Sequence, residues 1–405
     1  MTPQNDSVIE GNEKSMTPKE RIVAALEHRE PDIVPWGEHS IDYNVYEDIL
    51  GRPTFCSAKM KETLAFWDGR RDEVVESYKR DRVDLVRALG MDLIIVTQVP
   101  PKGYRPEPME KIDESTYRDK NGSIFHVSST THDLMPYERN TSNYKLPTVE
   151  DYEKRLAEID SLPPDDPNDS SWDFVKHVVK ELGKTHFVML ATGDLGFPLV
   201  GATEEEGWMN LVMHPELARL EAQVTGKWLL RALDVQSQQG VDGIMPPGDL
   251  GSSTGLCASP EIFREMVFPH LKAHVDKAHK KGLKVLKHCC GHVWPVIDEL
   301  ADIYDAYEGI QASAGMDIGK LKERVGERLC LWGGIWHEHI IMGSTQDIRN
   351  DARYAFASAG PGGGFIMGSS HSLAVDAKAE NILMMKKCRD DWGRYPIDPK
   401  KFSEG

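Results

Sequence analysis

The stretch KVLKHCCGHVWPVIDEL, residues 284–300, ends a short apolar run in His288, Cys289, Cys290, Gly291 and His292 before a helical pattern begins. Imidazole nitrogen and thiolate sulfur are both good zinc ligands, and a catalytic zinc site takes three protein ligands and keeps one position open. In an extended strand residues i and i+2 share a face. Leu286, His288 and Cys290 therefore project to one side, and Val285 and Cys289 to the other. His-x-Cys supplies only two ligands, so a third has to come from elsewhere. His371, after GGGFIMGSS, and Asp249, in PGDLG, are candidates. Two other readings stay open. Cys290 precedes a helix, whose N-terminus lowers a thiol's pKa and favours a nucleophile. A histidine beside a buried cysteine is also ordinary core packing.

These residues need a scaffold, and the hydrophobic pattern supplies one. Eight short apolar runs recur: DIVPW (32–36), MDLIIV (91–96), HFVML (186–190), DGIMP (242–246), KVLKH (284–288), AYEGI (306–310), LCLWGG (329–334) and GFIMGSS (364–370). Longer amphipathic segments separate most of them, such as 259–282, with Ser259 and Gly282 as caps, and 345–360, with Thr345 and Gly360. Strands alternating with helices predict parallel β-α-β units, most simply a single (β/α)8 barrel of the TIM type within the α/β class. The expected domain runs over 16–395, with a polar tail over 1–15 and a short C-terminal tail over 396–405. Residues 101–165 break the rhythm and read as an insertion over one barrel mouth; within them STYRDKNGSIFHV carries Asn-Gly between two alternating runs, a hairpin signal.

Barrel chemistry sits on the loops after the strands' C-terminal ends. Those positions here are Glu38 and His39, Thr97 and Gln98, Thr192 to Asp194, Gly248 and Asp249, Cys289 to His292, Gln311, Trp336 and His337, and His371. Polar and metal-competent side chains thus recur on one predicted face.

The whole chain narrows the function classes. It has 405 residues and a formal net charge of −17, which opposes a nucleic-acid groove. No window of about 18 apolar residues occurs, so no membrane span is expected, and the N-terminus MTPQNDSVIEGNEKS has no apolar core of a secretory signal. A cytoplasmic protein is the expectation. Six cysteines are too sparse for a disulfide framework, and Cys56, Cys257, Cys330 and Cys388 are isolated. The glycines at 362–364 lack the Lys-Ser/Thr of a phosphate loop, and Glu204 to Glu206 suit a helix start.

Four segments, MTPKERIVAALEHREPDIVPW, GSSTGLCASPEIFREMVFPHLK, the long stretch from KVLKHCCGHVW to LCLWGGI, and GPGGGFIMGSSHSLAVDAKAENILMM, resemble the uroporphyrinogen decarboxylase superfamily over most of 16–395. That resemblance implies a (β/α)8 barrel and one of two activities. True decarboxylases grip their substrate's carboxylates with an N-terminal Arg-Gln-Ala-Gly-Arg stretch, whereas VPWGEHSIDYNVYEDI has no arginine there. The cobalamin-dependent methyltransferases use His-x-Cys after the fifth strand and a later Cys as zinc ligands. His288 and Cys290 match the first two, and His371 stands near the place of the third. A related O-demethylase branch carries an acid-x14-acid-x20-His signature, whose spacing Asp234, Asp249 and His270 reproduce.

The resemblance therefore implies a methyltransferase that moves a methyl group between a small methylated substrate and a corrinoid on a carrier protein, assisted by zinc. Asp249 and His292 are its acid-base candidates, and Glu38, His39, Asp194, Trp336 and His337 its substrate contacts. A homodimer is compatible with the resemblance. The alternatives are a metal-independent decarboxylase of a smaller carboxylated substrate and a non-catalytic corrinoid or methyl-compound binder.

Overall fold

The computed structural model describes residues 15–402, so most of the expected N-terminal tail and residues 403–405 lie outside the described part. Its centre is a curled sheet of seven parallel strands: β1 (Leu93–Val96), β6 (Phe187–Ala191), β7 (Gly243–Met245), β8 (Lys284–His288), β9 (Ala306–Glu308), β10 (Cys330–Ile335) and β11 (Phe365–Ser369), adjacent in that order. Seven of the eight apolar runs are these strands. Between β1 and β6 the chain forms a separate antiparallel sheet of β2 (Glu110–Lys111), β3 (Thr116–Arg118), β4 (Ile124–Val127) and β5 (Leu134–Glu138). The Asn-Gly signal lies at the turn joining β3 to β4, where Gly122 takes a left-handed φ of 87°.

The eighth run is extended, but its pairing is sparse. Met367 N–H donates to Pro35 O at 2.8 Å and Gly37 N–H to Met367 O at 3.2 Å, while Asp92 N–H donates to Trp36 O at 2.7 Å. Residues 35–37 thus bond to β11 on one side and to the residue preceding β1 on the other. Pro35 has no N–H to offer a ladder, and Trp36 N–H goes to the Asp92 carboxylate at 2.9 Å.

Strand alternation divides the buried side chains into two layers. Leu93, Ile95, Phe187, Met189, Met245, Leu286, Ala306, Cys330, Trp332 and Ile366 form the inner cluster. Their neighbours Ile94, Val188, Ile244, Val285, Tyr307, Leu331 and Phe365 join the outer one, under the helices. The helix Pro18–Leu26, started by a Thr17–Glu20 capping box, adds Ile22, Ala25 and Leu26 to the inner cluster. With that end filled by apolar side chains, the polar inward positions fall at the strands' C-terminal ends. Elsewhere the helix expected from Thr345 is capped one residue earlier, because the Ser344 hydroxyl and Asp347 make the reciprocal box. The short helix Pro399–Phe402 sets Phe402 edge-on to Trp392. No helix among the described residues is long and apolar enough to cross a membrane.

Asp92 joins these parts. Fully buried, it binds the Trp36 N–H, the Arg21 guanidinium at 3.0 Å and the Arg389 guanidinium, and Arg21 also grips Asp32. Removing one partner of a buried pair leaves an uncompensated charge. Asp92→Ala is expected to destabilise the protein by about 3–5 kcal/mol, read as a lowered denaturant midpoint; a change under about 1 kcal/mol contradicts that role.

Candidate functional site

Leu286 lies on the inner face of β8 and Ala306 on that of β9, so two residues further on His288 and Glu308 also point inward, at the strands' C-terminal ends. Both are buried, at 4% and 1% exposure, and His288 Nδ1 hydrogen-bonds the Glu308 carboxylate. That contact engages Nδ1 and leaves Nε2 facing Asp249, whose Oδ1 is 3.7 Å away. The His39 ring stacks on His288 at 4.1 Å between centroids, and His371 meets His288 edge-on at 5.9 Å. Two groups of three donors converge here, with ligand atoms within 4.8 Å of one another: His288, Cys290 and His371, and, sharing His288, His39 with Glu308.

The chemistry of the first group suits a soft-to-borderline cation. Burial holds the His288 imidazole below its ordinary pKa, so it is neutral and able to ligate. The Cys290 thiol is pushed up to about 12 by burial, with the adjacent Asp249 carboxylate adding to the shift. A free thiolate nucleophile is therefore disfavoured, and a cation is what would hold the sulfur deprotonated. His371 Nδ1 is buried without a hydrogen-bond partner, as are His39 Nδ1 and Glu308 Oε1. Such orphaned groups are what a bound ion or substrate satisfies. Cys289 faces the other way, fully buried, and its sulfur accepts from Leu250 N–H at 3.3 Å.

The remaining expected residues divide into those that face the centre and those that build it. Asp249 accepts from Cys290 N–H at 2.9 Å while its side chain stays 48% exposed. His292 is anchored through Nδ1 to Ala314 O at 2.9 Å. His337 leans on His371, its Nδ1 buried and unpartnered. Trp336 stacks on His339 at the rim. Asp194 spends both oxygens internally, on buried Lys287 and on the N–H groups of Gly248 and Leu195, so it braces the loop that carries Asp249. Glu38 likewise accepts from Trp36 Nε1 at 2.7 Å and from Ser369, tying the 33–38 segment to β11.

The alternative set does not assemble. Asp234 lies on the outer helix Pro215–Gln236, paired with Lys277 and Lys281 at 3.0 Å, and His270 packs against Gly226 of the same helix. Pro269 stands in the first turn of Phe268–Lys280, after a π-helical turn, and turns His270 toward that neighbour. Neither residue belongs to a convergent donor group among the described residues.

The sequence matches the family model described as uroporphyrinogen decarboxylase over residues 133–392. The chain belongs to the uroporphyrinogen decarboxylase family. No curated protein matches its sequence. Among solved structures, a methyltransferase from Methanosarcina mazei shares its fold, with a TM-score of 0.62 at 15% identity, covering 93% of this chain and 99% of that one. Fainter likenesses include an α-galactosidase from Saccharomyces cerevisiae, with a TM-score of 0.35 at 12% identity, covering 89% of this chain and 65% of that one.

In this family member the residue that sequence reasoning missed is Glu308. Its signal was present: a carboxylate at the inward i+2 position of the run AYEGI. Lys287 was missed for the opposite reason, since it points outward, where helices bury it against Asp194.

Glu38 carries a testable consequence. Burial lifts its carboxyl to about 7, with Glu308 adding to the rise. A folded value above the unfolded one means the native state holds the proton more tightly. That stability is full below the unfolded value and is lost as pH rises through about 7. Glu38→Gln is expected to flatten the fall in unfolding free energy between about pH 5 and pH 8, by on the order of 3 kcal/mol. An unchanged slope contradicts the assignment.

Proposed function

We propose that this protein is a zinc-assisted methyltransferase that moves a methyl group between a small methylated substrate and a corrinoid carried by a separate protein. The observation that carries the reading is the convergence of His288, Cys290 and His371 at the mouth of the sheet. The fold shared with a methyltransferase supports it. So does the bonding of residues 35–37 to both sides of the sheet, which we read as closing an eight-stranded barrel, with the 101–165 region as its insertion.

Zinc held by those three side chains supplies Lewis acidity toward the oxygen, sulfur or nitrogen that bears the methyl group. The chain's own residues do the rest. Glu308 fixes the His288 ring so that Nε2 is the ligating atom. Asp249 orients the Cys290 backbone and sets a half-exposed carboxylate beside the donors, where it gives or takes a proton at the departing heteroatom. His292, fixed through Nδ1, has Nε2 for the same purpose. His39, stacked on His288, and His337, packed on His371, wall the substrate's side of the centre. Trp336 offers an aromatic surface at the rim, which favours a methoxylated aromatic among the possible donors.

Purified protein is expected to hold about one zinc per chain, as structural and catalytic zinc sites do. His288→Ala and Cys290→Ala should lose the metal and the transfer of methyl from 4-methoxybenzoate to a reduced corrinoid carrier, while far-ultraviolet circular dichroism stays unchanged. Less than about a tenth of an equivalent of zinc, with activity untouched by chelation, overturns the reading. Glu308→Gln should keep the fold and weaken zinc binding roughly 10–100-fold, measured by competition with a chromogenic chelator.

A further inference from the structure

The loops that follow β6 and β7 carry the same four residues, Gly193-Asp194-Leu195-Gly196 and Gly248-Asp249-Leu250-Gly251. In both, the aspartate accepts a backbone N–H from the loop after the next strand. Asp194 takes that of Gly248 at 2.7 Å, and Asp249 that of Cys290 at 2.9 Å. The two aspartates differ in how their charge is met. Asp194 is buried against the Lys287 ammonium. Asp249 is half-exposed beside His288, and no lysine or arginine pairs with it among the described residues.

Lys287 stands among apolar neighbours. The outward positions Ile244, Val285, Tyr307 and Leu331 belong to the outer core, whereas Lys287 brings a charge into the same layer with no exposure to solvent. Its Nζ donates to the Asp194 carboxylate and to Gly248 O. Gly248 is thus held twice, its N–H by the carboxylate and its carbonyl by the ammonium. A Cβ there would stand 2.8 Å from the Asp194 oxygen, so the carboxylate lies directly on this backbone. Taking both charges out of water costs about as much as their attraction returns, and an apolar pair of similar volume often serves stability as well. An apolar pair cannot hold Gly248.

The grip continues into the mouth. The residue after Gly248 is Asp249, which holds Cys290 N–H. Leu250 N–H donates to Cys289 Sγ at 3.3 Å, and His292 N–H donates to Ser252 O at 2.8 Å. A Cβ on Gly291, whose φ is 82°, would stand 2.6 Å from the Gly251 carbonyl carbon. Residues 248–252 and the loop of Cys290 and His292 are therefore stitched together along their length.

The geometry points to Lys287 as a positioning residue of the mouth: acting through Asp194 and Gly248, it sets where the Asp249 carboxylate and the Cys290 backbone stand, while the stability of the fold does not depend on it. That Asp249 then serves a departing heteroatom rests on the methyltransferase reading; that Lys287 sets its place does not.

Asp194→Asn/Lys287→Met removes both charges together, so neither is left buried alone, and it should unfold within a few degrees of the wild type. Hydrogen exchange read by mass spectrometry is expected to quicken roughly tenfold or more in peptides covering 248–251 and 289–292, and to stay unchanged in β10. Lys287→Gln, which keeps a donor for Gly248 O, carries the same comparison if the double variant does not fold. In methyl transfer the double variant should lose roughly 10–100-fold in kcat with KM little changed. Added to Asp249→Asn it should cost less than about threefold more, because both changes act through one carboxylate. Faster local exchange in a protein that transfers no methyl group would keep Lys287 as the positioning residue and remove the methyltransferase. Unchanged exchange at 248–251 and 289–292, acceleration that spreads equally to β10, or losses in kcat that multiply with those of Asp249→Asn would each overturn the proposal.

Discussion

The contact on which the site depends is the buried hydrogen bond between His288 and Glu308. Taking an imidazole and a carboxyl out of water is unfavourable unless each satisfies the other. Here each lies on the inner face of adjacent strands, at the point where the apolar interior ends. Burial raises the proton affinity of Glu308 to about 7 and lowers that of His288, so both groups are pushed toward their neutral forms. The pair fixes one ring orientation, and from it follow the stacking of His39, the edge-on approach of His371 and the exposure of Nε2 to Asp249 and Cys290.

The scaffold makes that contact possible by sorting polarity along the strands. At one end Ile22, Ala25 and Leu26 extend the apolar inner layer, and the Arg21–Asp92–Arg389 cluster ties helix, loop and sheet together. At the other end the inward positions carry donors and acceptors, and outward ion pairs such as Lys287–Asp194 hold the loops that bear them. Polar pairs are thus used twice: a charged pair behind the sheet braces loops, and a hydrogen-bonded pair at its mouth orients the His288 ring.

The strands were legible because period-two alternation needs only local sequence. In KVLKHCC that alternation separates Cys290 from Cys289. The donor atoms of His288, Cys290 and His371 lie together at the strand ends, within 4.8 Å of one another. What local pattern could not show is which carboxylates are free. Asp194 and Glu38 occupy strand-end positions like Asp249, but tertiary partners consume their oxygens. The spacing of Asp234, Asp249 and His270 imitates a signature, yet Asp234 and His270 sit on outer helices, where lysines and a glycine receive them.

Cobalt(II) offered to the His288, Cys290 and His371 group tests the proposed metal centre most directly, because a cysteine thiolate bound to cobalt gives a sulfur-to-metal charge-transfer band in the near ultraviolet. The band is expected in the wild-type protein and expected to vanish in Cys290→Ser while His39→Ala retains it, as ligation by His288, Cys290 and His371 requires. Cobalt binding with no thiolate band, or a band that survives Cys290→Ser, would contradict the centre described for this fold.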